Sequence, residues 1–377
     1  MASSIHTLTR DEKDYKFFFC GILRGGQVSW NPRLLQEDRL REGRKSCMDF
    51  KSLPKVELHL HFDCSLSYAV VSRLNPSITL EDYRNDFIAP DKCTNLAQVL
   101  SRSSNSIALM QTEEQLRLVT YDVFEQLQQE NVCYAELRFA PLLHTMKGLS
   151  AEEVVEIVDA AAASASQATG VEARIILCTL RHFTREQSMQ TVKLIERFKG
   201  TRVVALDIAG DEVGYPLEPH MPAFQFAAQN GISYTAHAGE SRGAESVWET
   251  LRLLRPTRIG HGVHSIEDPA LVERLRKEHI HLELCPTSNY QTNAVDTYAV
   301  HPIATLYDAG LSISVNSDDR TLCNINLTRE YEKLHAIFGW DETHFFQCNL
   351  NAIRAAFLPG ALKQLLENQL REGYEKI

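Results

Sequence analysis

Apolar and polar positions along this chain follow two alternating periods. Short β-branched runs at residues 56–61, 133–139, 173–180, 203–208, 233–237, 258–261, 281–285 and 312–316 read as strands. Between most of them, at 151–168, 185–198, 244–254 and 268–277, apolar residues return every three or four positions. That spacing marks one face of an amphipathic helix. Strands alternating with helices make parallel βα units. Eight such units, with no Gly-x-Gly-x-x-Gly after the first strand, predict an α/β fold of the closed (β/α)8 TIM barrel type, with an open parallel sheet as the alternative.

The rhythm breaks between the first and second strands. Residues 62–132 are too many for one crossover and carry helical patterns at 95–106 and 112–130. A helical insertion at that point of a barrel lies at the face where barrel active sites form. Part of it is expected to cover a pocket, the bland alternative being a packing appendage. Residues 1–47 differ in character, being basic on balance and aperiodic, and they end in a charged run at 37–45. They are expected to be an N-terminal extension, native or not, and residues 48–377 a single catalytic domain.

Composition narrows the function classes. With 377 residues, 44% hydrophobic and 23% charged, the chain can bury a sizeable core. A net charge of -10 repels polyphosphate, which argues against nucleic acid or an anionic membrane as a partner and favours a small molecule. The cysteines, Cys20, Cys47, Cys64, Cys93, Cys133, Cys178, Cys285, Cys323 and Cys348, are odd in number and show no C-x-x-C spacing. They read as neither a disulfide framework nor a thiolate metal site, and a reducing, cytoplasmic setting is expected. No apolar run reaches the length of a membrane-spanning helix, and the run at 17–23 is too short for a signal sequence.

Chemistry concentrates at the strand ends. His59 and His61 close the first strand and Asp63 follows. Residues two apart share a strand face about 7 Å apart at ~3.3 Å per residue. Two imidazoles and a carboxylate can therefore converge as a divalent metal requires. Alone, the pair fits a polar strand end equally well. Three further ends change that reading: His237-Ala238-Gly239-Glu240, Gly260-His261-Gly262 and Asn316-Ser317-Asp318-Asp319. In a barrel these ends meet at one mouth, and three histidines with a carboxylate suit zinc.

These motifs resemble the adenosine deaminase family, within the wider amidohydrolase superfamily. The likeness runs from Leu53 to about Pro359. It includes Tyr134-Ala135-Glu136-Leu137-Arg138-Phe139-Ala140-Pro141, Arg181-His182, Asp207-Ile208-Ala209-Gly210-Asp211-Glu212 and Cys285-Pro286-Thr287-Ser288-Asn289. The resemblance implies one zinc per chain, held by His59, His61, His237 and Asp318. It implies that Glu240 hands a proton to N1 of a purine and that His261 and Asp318 orient and help deprotonate the attacking water. Asp319 would contact N7, the Gly210 backbone N3, and Asp63 the ribose 5′-hydroxyl; His61 and His182 would line the substrate pocket, though His182 fits a structural role as well. Such a set suits the reaction, because C6 of adenine is weakly electrophilic and an aromatic amine leaves poorly. Zinc lowers the pKa of a water it binds to roughly 7, and a protonated Glu240 relieves charge on the ring.

Two positions depart from the family pattern: Cys64 stands where glycine is usual, and Arg320 where proline is. Arg320 would reach a substrate substituent or face solvent. With Asp63 present and no phosphate-cradling glycine loop, the expected substrate is adenosine, with 2′-deoxyadenosine accepted. Free adenine and N6-substituted nucleotides are the alternatives within the family. A silent purine-binding protein would need neither Glu240 nor His261. A two-metal ester or lactam hydrolase would want a bridging lysine, which residues 206–210 lack.

Overall fold

Burial is nearly complete along the strands, as a parallel sheet covered on both faces requires. The computed structural model describes residues 48–376, so the expectation for 1–47 lies outside the described residues. The strands are β1 Lys55–His61, β2 Val132–Phe139, β3 Glu172–Leu180, β4 Val203–Ala209, β5 Ser233–Tyr234, β6 His237–Ala238, β7 Arg258–His261, β8 His281–Leu284 and β9 Ile313–Val315. Every pairing is parallel, in the orders β1-β2-β3-β4-β5 and β6-β7-β8-β9.

Backbone hydrogen bonds cross both seams between these sheets. Thr235 N donates to Leu206 O of β4 at 3.0 Å, and Gly260 N of β7 donates to Ala236 O at 2.9 Å. At the other seam His61 N donates to Asp318 O at 3.0 Å and Asp318 N to His59 O at 2.9 Å. The fold is the (β/α)8 barrel that the periodicity predicts. One expected strand is divided: the run at 233–237 becomes β5 and β6, because Thr235 bonds to β4 and Ala236 to β7 and neither sheet holds both.

The outer helices begin where capping side chains satisfy the first free N–H groups. Ser150 and Glu153 form a capping box for Ala151–Thr169, Thr184 and Gln187 for Arg185–Arg197, and Asp268 with Pro269 opens Pro269–Lys277. The expected helix at 95–106 is instead two short ones, Leu96–Leu100 and Ser103–Ala108. The helix Met221–Gln229 also falls between strands, hidden from a periodicity reading by its mostly apolar sequence. Three helices end the chain, Leu327–Phe338, Glu342–Ala355 and Gly360–Glu375. Leu366 and Leu370 of the last pack with Ile353 against Val56, Leu58 and Tyr134 of β1 and β2. Among the described residues no helix is long and apolar enough to cross a membrane, and the described cysteines are free and buried.

Candidate active site

The C-terminal ends of the strands bring His59 and His61 from β1, His237 from β6 and Asp318 beyond β9 to one point. Each offers a ligand atom, all within 4.8 Å of one another. His61 Nε2 lies 3.2 Å from His237 Nε2, and Asp318 Oδ1 lies 3.2 Å from His59 Nε2 and 3.4 Å from His61 Nε2. Tetrahedral bonds of 2.0–2.1 Å have edges of about 3.3 Å. His59 Nε2 is buried with no hydrogen-bond partner, a cost that native structures seldom carry without a reason. The four residues therefore fit a divalent metal. A rival set of His59, His261, Cys285 and Asp318 is also close, but burial pushes the Cys285 thiol well up and leaves it a poor ligand.

Neighbouring carboxylates aim the histidines. His59 Nδ1 donates to Glu283 Oε2 at 2.9 Å, and His237 Nδ1 lies 3.1 Å from Asp207 Oδ2, so both Nε2 atoms face the centre. Arg138 ties these carboxylates together, donating to Asp207 at 2.9 Å and to Glu283 at 2.6 Å. All three are fully buried. Glu57 accepts from Ser317 N at 3.0 Å and Ser317 Oγ at 2.7 Å, which anchors the loop that carries Asp318. Gly260 makes the room: a Cβ there would sit 2.9 Å from His59 Cε1 and 3.3 Å from the His237 ring. His261 and Asp318 both have φ of 61°, a left-handed backbone costly for non-glycine residues and common at functional sites.

Beside the cluster lies a cavity of about 650 Å³ lined by His61, Asp63, His182, Gly210, Glu240 and Asp319, among others. Leu96, Leu100 and Ile107 of the two short insertion helices also line it, so the insertion does cover the pocket. Burial, with Asp318, Glu212 and Asp319 close by, raises the Glu240 carboxyl well above its usual range, which favours its protonated form. Asp319 is likewise raised by burial and by Asp318 and Asp63. Burial pushes the His261 imidazole well below its usual range and leaves it neutral. Asp318 is held well below its usual range, because His59 beside it outweighs the upward push of burial. Gly210, at φ 99°, presents its backbone beside Arg181 N as a side-chain-bearing residue rarely does.

Glu212 escaped the sequence reading. It is 3% exposed and accepts from Gly239 N at 2.8 Å, Glu240 N at 3.1 Å, Ser241 N at 2.9 Å and Arg242 N at 3.0 Å, with Ser246 Oγ as a further donor. It fixes the turn that carries Glu240. Arg320 overturns the expectation made for it: it is buried, pairs with Glu130, and reaches neither substrate nor solvent. Cys64 does line the cavity, as its place after Asp63 suggests.

A family model described as adenosine deaminase matches residues 54–372. The chain belongs to the adenosine deaminase family. An adenosine deaminase of Clostridium perfringens (strain 13 / Type A) is 33% identical over 327 residues, covering 85% of this chain and 98% of its own. Among solved structures, the adenine deaminase of Arthrobacter aurescens superposes with a TM-score of 0.78 at 28% identity, over 85% of this chain and 98% of its own. The N6-mAMP deaminase of Arabidopsis gives 0.77 at 26%, over 87% and 99%. This adenosine deaminase family member is thus a deaminase hydrolase, and its relatives differ in the purine they take.

Proposed function

We propose that this chain hydrolyses the 6-amino group of adenosine, and of 2′-deoxyadenosine, to the 6-oxo nucleoside and ammonia, with one zinc ion per chain held by His59, His61, His237 and Asp318. The lining of the 650 Å³ cavity carries the choice of substrate. Among the described residues that line it there is no lysine or arginine, and Asp63 stands within it. A nucleotide's phosphate would be buried there beside a carboxylate without a cation, an expensive arrangement. A ribose hydroxyl can instead donate to Asp63. A free base would leave Asp63 without that donor.

Zinc held by the four ligands would supply Lewis-acid activation of the attacking water at neutral pH. The protein's own groups handle the protons and the ring. Glu240, protonated at rest, gives its proton to N1 as the water oxygen bonds to C6, so the ring electrons gain a sink. His261 and Asp318 orient the water and move its proton toward the departing ammonia. Asp319, also protonated, can donate to N7, which accepts only. The Gly210 N–H is available to N3, and His182 bounds the pocket on the β3 side.

Glu240→Gln keeps the shape and removes the proton donor. It should lower kcat on adenosine at least ~10²-fold, the range for lost general acid catalysis, while metal content stays at the wild-type level. Turnover near normal, or loss of metal, would remove Glu240 from this role.

A further inference from the structure

Which nitrogen of His261 carries a proton decides whether the ring can act as a base. A chain of hydrogen bonds settles the question from an unambiguous start. Ile303 N, a backbone donor, gives to His301 Nδ1 at 3.1 Å. His301 therefore carries its proton on Nε2 and donates to Asn289 Oδ1 at 3.1 Å. That contact fixes the amide of Asn289, which is fully buried, with its NH₂ toward His261 Nδ1 at 3.1 Å. Nδ1 of His261 must accept, so its proton sits on Nε2 and faces Glu240 Oε2 at 3.6 Å and Asp318 Oδ2 at 3.8 Å.

We infer that His301 and Asn289 are positioning residues that lock His261 in the Nε2–H tautomer, making it a hydrogen-bond donor to the attacking water and leaving Asp318 Oδ2 to take the water's proton. Asp318 Oδ1 faces His59 and His61, so its two oxygens face different partners. The proton balance closes: one water proton passes through Asp318 to the departing amine, Glu240 gives its proton to N1 and regains one from the C6 hydroxyl as ammonia leaves and the carbonyl forms, and none resides on His261. The rate consequence rests on the deaminase reading above; the tautomer does not.

Zinc-loaded protein with ¹⁵N-labelled histidine tests it, with the His261 signals assigned by their loss in His261→Gln. The expected spectrum shows a pyrrole-like Nε2 and a pyridine-like Nδ1 for His261. The reverse pattern, or a doubly protonated ring, would overturn the inference. Asn289→Asp puts an acceptor against Nδ1 and should move the proton there; a wrong tautomer costs a serine protease about 10⁴-fold in kcat, and a loss of ~10²-fold or more with KM little changed is expected here. An Asn289→Asp protein with both spectrum and kcat at wild type contradicts the lock. If that variant does not fold, His301→Gln must still lower kcat with metal content unchanged, and full activity there has the same force. Deaminase activity absent in the wild type would sink the functional reading while leaving the spectral result to decide the tautomer.

A second inference comes from the opposite end of the barrel. A cavity of about 1250 Å³ lies at the N-terminal ends of β4, β5, β7 and β8, lined by Arg174, Lys199, Arg258, Arg276, Arg354 and Lys363 and, among the described residues, by no carboxylate side chain. Arg258 is paired with Glu136 and Glu283, and Arg276 with Glu273. The other charges are incompletely matched. Arg174 and Arg202 share Glu172, Arg354 and Arg371 share Glu367, and Lys199 and Lys363 donate to the backbone carbonyls of Asn230 and Arg354. Cations gathered in one depression raise the local positive potential even in a chain of net charge -10, which favours an anion there. We propose that this cavity binds a phosphorylated small molecule bearing two or more negative charges. Calorimetric titration of zinc-loaded protein with inorganic pyrophosphate, in saturating inosine to fill the other mouth, should show one site, at least tenfold weaker in K199Q/K363Q. Absence of binding, equal affinity in the variant, or heat accompanied by loss of zinc would overturn the proposal.

Discussion

At the residue scale, the direction in which each group is pushed matters more than its identity. In the proposed reaction Glu240 acts as an acid because burial and nearby carboxylates disfavour its charge, and Glu212 is one of them while also holding its turn. Glu212→Gln should therefore lower kcat by ~10-fold or more with metal retained, because one oxygen is lost from a site with four backbone donors. The loss should nearly vanish in a Glu240→Gln background, as expected when one residue acts through another. If activity depends on protonated Glu240 as proposed, kcat should fall as pH rises through its raised pKa. Removing the Glu212 charge favours the ionised form and should move that alkaline limb to lower pH; a limb that stays or moves up would show that Glu212 does not act on Glu240. The four residues proposed to hold the metal, and Glu240, were legible as motifs at strand ends. Asp207, Glu283 and Arg138 were not assigned, although a charge inside an apolar run, as in Leu206-Asp207-Ile208 or Leu282-Glu283-Leu284, signals a buried group in need of a partner. What the sequence could not supply was which partner.

At the element scale, the site depends on where strands stop. β1 delivers two histidines on one face and β7 brings Gly260 against His59 and His237, so the glycine of Gly-His-Gly serves its neighbours' packing. Gly260→Ala should weaken metal binding roughly 10–100-fold, the range for disturbing groups that orient ligands, and dialysis against graded free zinc would measure it. Unchanged affinity would mean that the histidines can shift at no cost. Strand order and the alternation with helices were readable because period two and period three-to-four are strong signals. The division of the fifth strand was not, since it follows from Thr235 and Ala236 bonding to different neighbours. The break at Ser101-Arg102 in the covering helices was equally hidden, because no proline or glycine marks it.

At the scale of the whole molecule, a barrel that gathers buried histidines and carboxylates at one mouth should gain stability from the ion that fits them. Free zinc at about 100-fold its Kd contributes ~2.7 kcal/mol. The melting temperature should fall by several degrees on chelation and recover on adding zinc back, with turnover following the metal; activity that survives full chelation would contradict a metal-dependent reaction. The central claim is that the pocket takes a nucleoside, and ammonia release measures it directly. With adenosine, AMP and free adenine offered separately to the zinc-loaded protein, adenosine should give stoichiometric ammonia and inosine with kcat/KM at least ~10²-fold above the other two. An AMP or adenine value equal to or above that for adenosine would contradict the account of the pocket.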